Sequence, residues 1–109
     1  MESSLEKKQR VNLLMDCYLE LLTTKQQDYL SLYYEEDLSL AEIAEDLGVS
    51  RNAVYDNLKR AVALLEDYEG KLHLLEKHIQ RMNLIQRIED EQKISHEQIH
   101  DYLDMLRKI

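Results

Sequence analysis

Apolar residues recur at helical spacing along most of this chain. Between about residues 5 and 22 they fall at three- and four-residue steps, which is the pattern of one buried stripe on a helix. Thr24 and Gln27 form a predicted capping box, and the second helix that it begins runs to about Tyr34. Ser39 is the predicted cap of a third, short helix. The inward residues of that helix are Leu40, Ile43, Ala44 and Leu47.

The longest apolar pattern follows Ser50, the predicted cap of a fourth helix. Its inward residues alternate four- and three-residue steps and are Val54, Leu58, Ala61, Leu65, Tyr68, Leu72, Leu75, Ile79 and Met82. Such a repeat predicts a long heptad-patterned helix. Gly70 lies at an outward position within it and leaves two interpretations open. Either one helix runs from about Arg51 to Arg87, or the chain bends at Gly70 and the second half folds back on the first.

A last helix is predicted after the polar stretch "EDEQK". Ser95 and Gln98 form its capping box, and Ile94 and Ile99 form a hydrophobic staple. The residues that this helix is expected to bury are Ile99, Tyr102, Leu103, Leu106 and Ile109.

Composition supports an all-α fold, because proline is absent and glycine occurs only twice. A chain of 109 residues is too short for most enzymes that need lids and cofactor clefts, so we expect no enzymatic activity and no cofactor. Cys17 is the single cysteine, which excludes an internal disulfide, and no run of about 18 apolar residues predicts membrane insertion. We therefore expect a cytoplasmic protein. Only the N-terminal "MESS" is expected to be disordered.

The stretch "LSLAEIAEDLGVSRNAVYDNLKRA", from position 38, has the pattern of a helix-turn-helix. Ala44 is small enough for two helices to cross closely, Gly48 suits the turn, and Val49 is expected to plug the corner. Val54 and Leu58 are expected to tuck the second helix against the first. The alternative is an ordinary helical pair with coincidental small residues, and the agreement of five positions favours the helix-turn-helix.

The segment "RVNLLMDCYLELLTTKQQDYLSLYYEEDLSLAEIAEDLGVSRNAVYDNLKR" resembles the YlxM family of small helix-turn-helix proteins, and its later part is similar to region 4 of bacterial sigma factors. The resemblance covers roughly residues 5 to 70. It implies a sigma region-4-like helix-turn-helix domain at residues 1–70. No motif of the family is matched after residue 70, and there the apolar periodicity predicts a C-terminal helical extension at residues 71–109, which is expected to dimerise. Members of the family are associated with the bacterial signal recognition particle chiefly because their gene lies beside that of the particle's GTPase. The resemblance therefore implies a regulatory role linked to that pathway and components of the particle as partners.

If the domain docks on a duplex as region 4 does, the outward residues of the recognition helix are candidates for DNA or RNA contact. They are Ser50, Arg51, Asn52, Tyr55, Asp56 and Lys59. Arg51 suits guanine and Asn52 suits adenine, whereas Ser50 and Lys59 suit phosphates. Each of them is also an ordinary residue of a helix surface.

The charge balance argues against tight binding to nucleic acid. The chain has 14 Lys and Arg against 22 Asp and Glu, and residues 36–69 hold nine acids and three bases. Because non-specific affinity comes mainly from neutralised phosphates, we expect any binding to be weak and strongly salt-sensitive. The alternative is a protein-interaction module whose acidic helix-turn-helix meets a basic protein, such as a GTPase or a ribosomal surface.

The positive charge lies further along the chain. Lys71, Lys77, Arg81 and Arg87 form a locally basic stripe, with His73 and His78 among them. The stripe could meet RNA or an acidic protein, although a solvated helix face is the more ordinary interpretation.

Three other patterns suggest chemistry. "HEQIH", from His96 to His100, matches a zinc-binding pattern, but only nine residues follow it to supply further ligands, so we predict no metal site. Cys17 lies beside an apolar stripe and is expected to be packing material. Among the seven tyrosines, Tyr33, Tyr34 and Tyr55 are the ones expected to face a partner.

The heptad pattern also predicts a homodimer. The first three helices are too short to cover more than the N-terminal part of it, so Leu72, Leu75, Ile79 and Met82 need another surface. That surface is either the last helix of the same chain or a second copy, and we predict the second copy.

Overall fold

A computed structural model describes residues 4–109, which contain six α-helices and no strand. The helices are α1 (Leu5–Tyr18), α2 (Thr24–Leu30), α3 (Leu40–Leu47), α4 (Arg51–Leu72), α5 (Leu74–Asp90) and α6 (His96–Lys108). The predicted all-α class is therefore confirmed. Ser4, expected in the disordered end, instead caps α1, since its Oγ accepts a 3.1 Å hydrogen bond from the Lys7 amide. Residues 1–3 lie outside the described part of the chain.

The connection between α1 and α2 differs from the prediction by a few residues. Helix α1 ends at Tyr18, and a 3₁₀ turn at Leu19–Leu21 follows it. The capping box of α2 is formed by Thr23 and Gln26, not by Thr24 and Gln27. Both threonines have a glutamine three residues later, so spacing alone did not distinguish them. The buried, extended Leu22 places Thr23 at the cap position.

Helix α2 ends at Leu30 and continues as a wider π-helical turn over Ser31–Glu35. The Glu36 amide closes this turn with a 3.0 Å hydrogen bond to the Ser31 carbonyl. Tyr34 is buried in the turn, so the expectation that it faces a partner is wrong. The wider turn accounts for this burial, because in a π-helical turn the side chains point in other directions than they would in a regular α-helix.

Two compact units make up the chain, and the first ends at Leu72. In this unit α4 packs against α1, α2 and α3. The apolar stripes predicted for these helices form its core, and the largest fully buried side chains are Leu14, Tyr18, Leu30, Ile43, Val54, Leu58 and Leu65. Burying each such side chain stabilises the unit by about 1.5–3 kcal/mol. Because α4 packs against the other three helices, it is the central element of this core.

Helix α4 continues through Gly70 without interruption and ends two residues later. His73 then adopts a left-handed conformation, with φ 56° and ψ 28°, and α5 begins at Leu74. Neither interpretation of Gly70 was therefore correct. A single left-handed residue cannot continue an α-helix, whereas a glycine in the helical region costs only about 1 kcal/mol relative to alanine.

The second unit is His73–Ile109, in which α5 and α6 pack together. The predicted capping box of Ser95 and Gln98 begins α6. Tyr102 is buried, and its hydroxyl donates a hydrogen bond to Glu91, which raises the pKa of Tyr102. Ile99 and Leu103, which were expected to be buried, are exposed. None of the six helices is both long enough and apolar enough to cross a bilayer.

Candidate nucleic-acid interface

Helices α3 and α4 form the predicted helix-turn-helix. Ser39 and Glu42 make the capping box that begins α3, and the amide hydrogen bond from Ser39 lowers the pKa of Glu42. Gly48 ends the helix in the left-handed conformation, with φ 66°. The Val49 amide then donates a 3.1 Å hydrogen bond to the Ala44 carbonyl. This closing pattern reverses the chain between the two helices, as the position of the glycine predicted.

Two residues of the turn lie differently from the prediction. Ala44, Val54 and Leu58 are buried, as expected for a close helix crossing. Val49, however, is 39% exposed and Leu47 is 43% exposed, so neither of them fills the corner. Leu47 is the last residue of α3 and Val49 follows the left-handed Gly48, so both lie where the helix stops and its apolar periodicity no longer indicates which residues are buried.

The first turn of α4 carries hydrogen-bond donors that a ligand could use. The Ser50 hydroxyl oxygen accepts a 3.0 Å hydrogen bond from the Ala53 amide, as predicted for a cap. Its own proton stays available to donate to a phosphate oxygen. The backbone N–H groups of Arg51 and Asn52 lie in the first turn of α4, where no carbonyl of the helix accepts from them, and such groups favour anions.

We call the side of α4 that carries Arg51, Asn52, Tyr55 and Lys59 the recognition face. Arg51, Asn52 and Lys59 are exposed and Tyr55 is half-buried. At about 100° per residue these four positions lie within roughly one third of the helix circumference. Asp56 is also exposed and lies at the edge of this face, about 40° beyond Asn52 around the helix. The structure therefore brings the predicted residues together, with one acid among them.

The positive charges on this part of α4 have no acidic partners. Among residues 4–109, no carboxylate forms an ion pair with Arg51, Lys59 or Arg60. All three guanidinium or ammonium groups are therefore available to a ligand.

Several of the acids in residues 36–69 are neutralised by bases from outside that segment. Lys8 pairs with Asp37 at 3.1 Å, and Lys71 pairs with Asp67 at 3.0 Å. Arg10 binds Glu66 through two nitrogens, at 2.6 and 3.0 Å, and this hydrogen bonding raises the pKa of Arg10. Sequence inspection missed two of these pairs because their partners are 29 and 56 residues apart.

One further acid of that segment is removed from the surface. Glu69 is buried and accepts a hydrogen bond from Tyr18. Of the nine acids, three are in ion pairs and one is buried, so five are exposed and form no ion pair within residues 4–109. The electrostatic repulsion of phosphates is correspondingly smaller than the sequence suggests.

The four residues of the predicted basic stripe are divided between the two units, with Lys71 in the first and the other three in the second. Lys71 lies at the end of α4, before the left-handed His73, and is paired with Asp67. The guanidinium of Arg87 lies over the ring of Tyr102, 5.7 Å from its centroid. Lys77 and Arg81 remain, four residues apart on one side of α5, and both are exposed. Two cations on one helix face are a smaller patch than the four that were predicted.

The remaining candidates have ordinary local explanations. His96 and His100 are exposed and their rings meet edge to face, with centroids 5.3 Å apart. The absence of a zinc role there stays a prediction. Cys17 is half-buried, and burial, together with the charges of Glu69 and Asp16, raises the pKa of its thiol. A thiol of this kind is a poor nucleophile near neutral pH.

Comparison with known proteins extends the similarity to the C-terminal helices. A family described as "Putative helix-turn-helix protein, YlxM / p13 like" matches residues 5–105. The chain is 47% identical over 108 residues to a UPF0122 protein of Bacillus thuringiensis (strain Al Hakam), covering 96% of this chain and 98% of that protein. It is 50% identical over 107 residues to a UPF0122 protein of Listeria innocua serovar 6a, covering 95% and 97%. Helices α5 and α6 are thus part of what these proteins share.

Proposed function

The chain belongs to the YlxM- and p13-like family of helix-turn-helix proteins, and on that premise we propose that it is a regulatory protein that contacts nucleic acid through the recognition face of α4. The observation that carries the proposal is that Arg51 and Lys59 are exposed on one side of α4 and form no ion pair within residues 4–109, next to a first helical turn capped by Ser50. The description of the family is that of a helix-turn-helix protein and not of an enzyme. A link to the signal recognition particle pathway, in the cytoplasm, forms part of the proposal and rests on the resemblance to the YlxM family.

Weak intrinsic affinity follows from the charges. Arg51, Lys59 and Arg60 can neutralise about three phosphates, so we expect a salt slope of about −3 in log–log form. Residues 36–69 also hold the five exposed acids that form no ion pair within residues 4–109. Discrimination between sequences would come from Arg51 and Asn52, since a bidentate base contact is worth about 1–3 kcal/mol.

We also propose a homodimer, because the second unit leaves many large apolar side chains exposed. They are 38–49% exposed and include Ile79, Met82 and Ile85 on α5 and Ile99, Leu103 and Met105 on α6. Two helices alone cannot bury both of their apolar faces, and a second copy would supply the missing surface as in a four-helix bundle. A dimer would also double the number of recognition faces and suit a two-fold symmetric site.

The test of nucleic-acid binding compares two pairs of cations. Fluorescence anisotropy would follow a random 40-base-pair DNA pool and an RNA hairpin at several salt concentrations. We expect Arg51→Ala with Lys59→Ala to weaken binding and to reduce the salt slope by about two. The matched control, Lys77→Ala with Arg81→Ala, removes the same charge from α5 and should leave binding intact. If the control pair abolishes binding and the first pair does not, the recognition face is the wrong surface.

A further inference from the structure

A groove runs along the outer side of α2 and the π-helical turn that follows it. Two adjoining depressions, of about 440 and 380 Å³, share Asp28 and Leu47 in their walls. One side is formed by residues that recur at helical spacing from Lys25 to Glu36, and the other by Leu47 and Val49. We call this the α2–α3 groove. Twelve residues of helix span about 18 Å, which is the length of three helical turns.

The floor of the groove is apolar. Leu47 is 43% exposed and Val49 is 39% exposed, and both lie beside the buried Tyr29. Leu32 is half-buried at the other end. A large apolar side chain from a partner could bury against Leu47 without displacing any core residue. Exposed leucine and valine in a concave surface are typical of a helix-binding groove.

The walls are acidic over most of this length. Asp28, Glu35 and Glu36 line the groove, and no lysine or arginine of residues 4–109 forms an ion pair with any of them. Glu35 accepts a 2.9 Å hydrogen bond from the Ser31 hydroxyl, which orients its carboxylate but leaves its charge. The single base in the lining is Lys25, at the end nearest Val49. The groove is therefore positively charged at the end near Lys25 and negatively charged at the end near Glu35 and Glu36.

From this combination of shape, floor and charge, we propose that the α2–α3 groove binds an amphipathic, basic helix of a partner protein. Its apolar residues would cover Leu47, Val49 and Leu32. Its lysines or arginines would lie against Glu35 and Glu36, and a neutral or acidic end would lie near Lys25. Charge complementarity fixes this orientation and excludes the reverse one.

Nucleic acid does not fit this groove, because three carboxylates would face its phosphates. The proposal is also separate from nucleic-acid binding by the recognition face. None of Arg51, Asn52, Tyr55 or Lys59 lines the groove, so either activity can be lost while the other is kept.

The probe is a 14-residue helical peptide with leucines at one face and lysines concentrated at one end. Binding to the full chain would be followed by peptide anisotropy and by amide chemical shifts. We expect shifts to cluster at Asp28, Leu32, Leu47 and Val49. Leu47→Gln should weaken binding about tenfold or more, since it removes the apolar floor that the leucines cover. Glu35→Lys with Glu36→Lys should weaken it further and reduce its salt dependence.

The control separates this site from general attraction to an acidic protein. Glu20→Lys with Glu89→Lys makes the same change in net charge at exposed residues outside the groove, and should alter the affinity by less than about threefold. A peptide with the same composition in scrambled order should bind much more weakly. Equal affinity for Leu47→Gln and the natural chain, shifts spread over the acidic surface, or displacement of the peptide by duplex DNA would each overturn the proposal. Leu47 is 43% exposed and Glu35 and Glu36 are exposed. Amide spectra should therefore show that Leu47→Gln and the variant with Glu35→Lys and Glu36→Lys are both folded.

Discussion

Tyr18 and Glu69 are hydrogen-bonded to each other inside the first unit. The Tyr18 hydroxyl donates to the Glu69 carboxylate at 2.5 Å, and both side chains are buried. The ring of Tyr18 also stacks on Tyr68, with centroids 6.0 Å apart. These contacts join the end of α1 to the last turn of α4. A carboxylate in such a position is tolerated only with hydrogen-bond donors around it.

Tyr18→Phe should therefore destabilise the protein. The substitution keeps the ring but removes a donor from a buried carboxylate, which costs about 1.5–3 kcal/mol. Urea unfolding followed by circular dichroism would measure the change. Tyr68→Phe is the matched control, because Tyr68 is less buried, and it should change the free energy of unfolding by less than about 0.5 kcal/mol. Equal effects of the two substitutions would contradict this role of the hydroxyl.

The two glycines should respond to alanine with opposite signs. A Cβ at either position would meet no atom within 4 Å, so only the backbone decides. Gly48 has φ 66°, and Gly48→Ala should cost about 1 kcal/mol of stability. Gly70 lies in the interior of α4, and Gly70→Ala should add about 0.5–1 kcal/mol. Thermal unfolding of both variants checks the two signs at once.

Asp56 should limit binding of nucleic acid by the recognition face. It is the one acid among the exposed residues there, and Asp56→Asn removes its charge without changing the size of the side chain. We expect DNA affinity to rise several-fold at low salt, with a smaller gain at high salt as screening increases. Glu97→Gln, on α6, is the control and should have no effect. Unchanged affinity for Asp56→Asn would show that phosphates do not approach this part of α4.

The homodimer should depend on exposed apolar residues of α5 and α6. Ile79→Asp with Leu103→Asp should yield monomers in sedimentation at micromolar concentration, because each aspartate would be buried in the dimer without a partner. Leu75→Asp is a poorer test, since Leu75 is already buried within one chain and its loss would destabilise the fold itself. A natural chain that sediments only as a monomer at that concentration would remove the basis for the dimer.

Cys17 should react slowly with thiol reagents. Because its pKa is raised by burial and by the nearby charges of Glu69 and Asp16, the thiolate fraction at a given pH is below that of a free cysteine. The rate of reaction with a disulfide reagent should therefore rise at higher pH in the folded chain than in urea. Identical pH profiles in the two states would contradict the assignment of Cys17 as packing material.

Local chemistry predicted much of the first unit and the start of α6. The caps at Ser39, Ser50 and Ser95 and the left-handed Gly48 each depend on residues within a few positions of one another, so their spacing is visible in the chain. Periodicity likewise identified the buried side of α4 as far as Leu65. These features follow from interactions that a single helix or turn completes by itself.

Features that depend on distant residues could not be found in this way. Arg10 and Glu66 are brought together only when α1 packs on α4, and no local pattern links them. The heptad repeat continued past Leu72, although the chain leaves the helix at His73. Histidine adopts the left-handed conformation more often than most residues but much less often than glycine, so its position did not reveal the break. The α2–α3 groove was missed because Leu47 fits a buried position of α3 until the turn is seen.

The single-residue break at His73 and the longer segment before α6 present very different targets to a protease. An endoprotease needs several residues in extended form, and the joint between α4 and α5 offers only one non-helical residue. The segment from Glu91 to Ser95 is the longest non-helical stretch within residues 4–109, and it contains Lys93. Trypsin should therefore cut first at Lys93, detaching α6 and with it the Tyr102 ring that packs beside Arg87. The fragment that remains would keep the complete first unit, so digestion offers a way to prepare the helix-turn-helix with α5 but without α6.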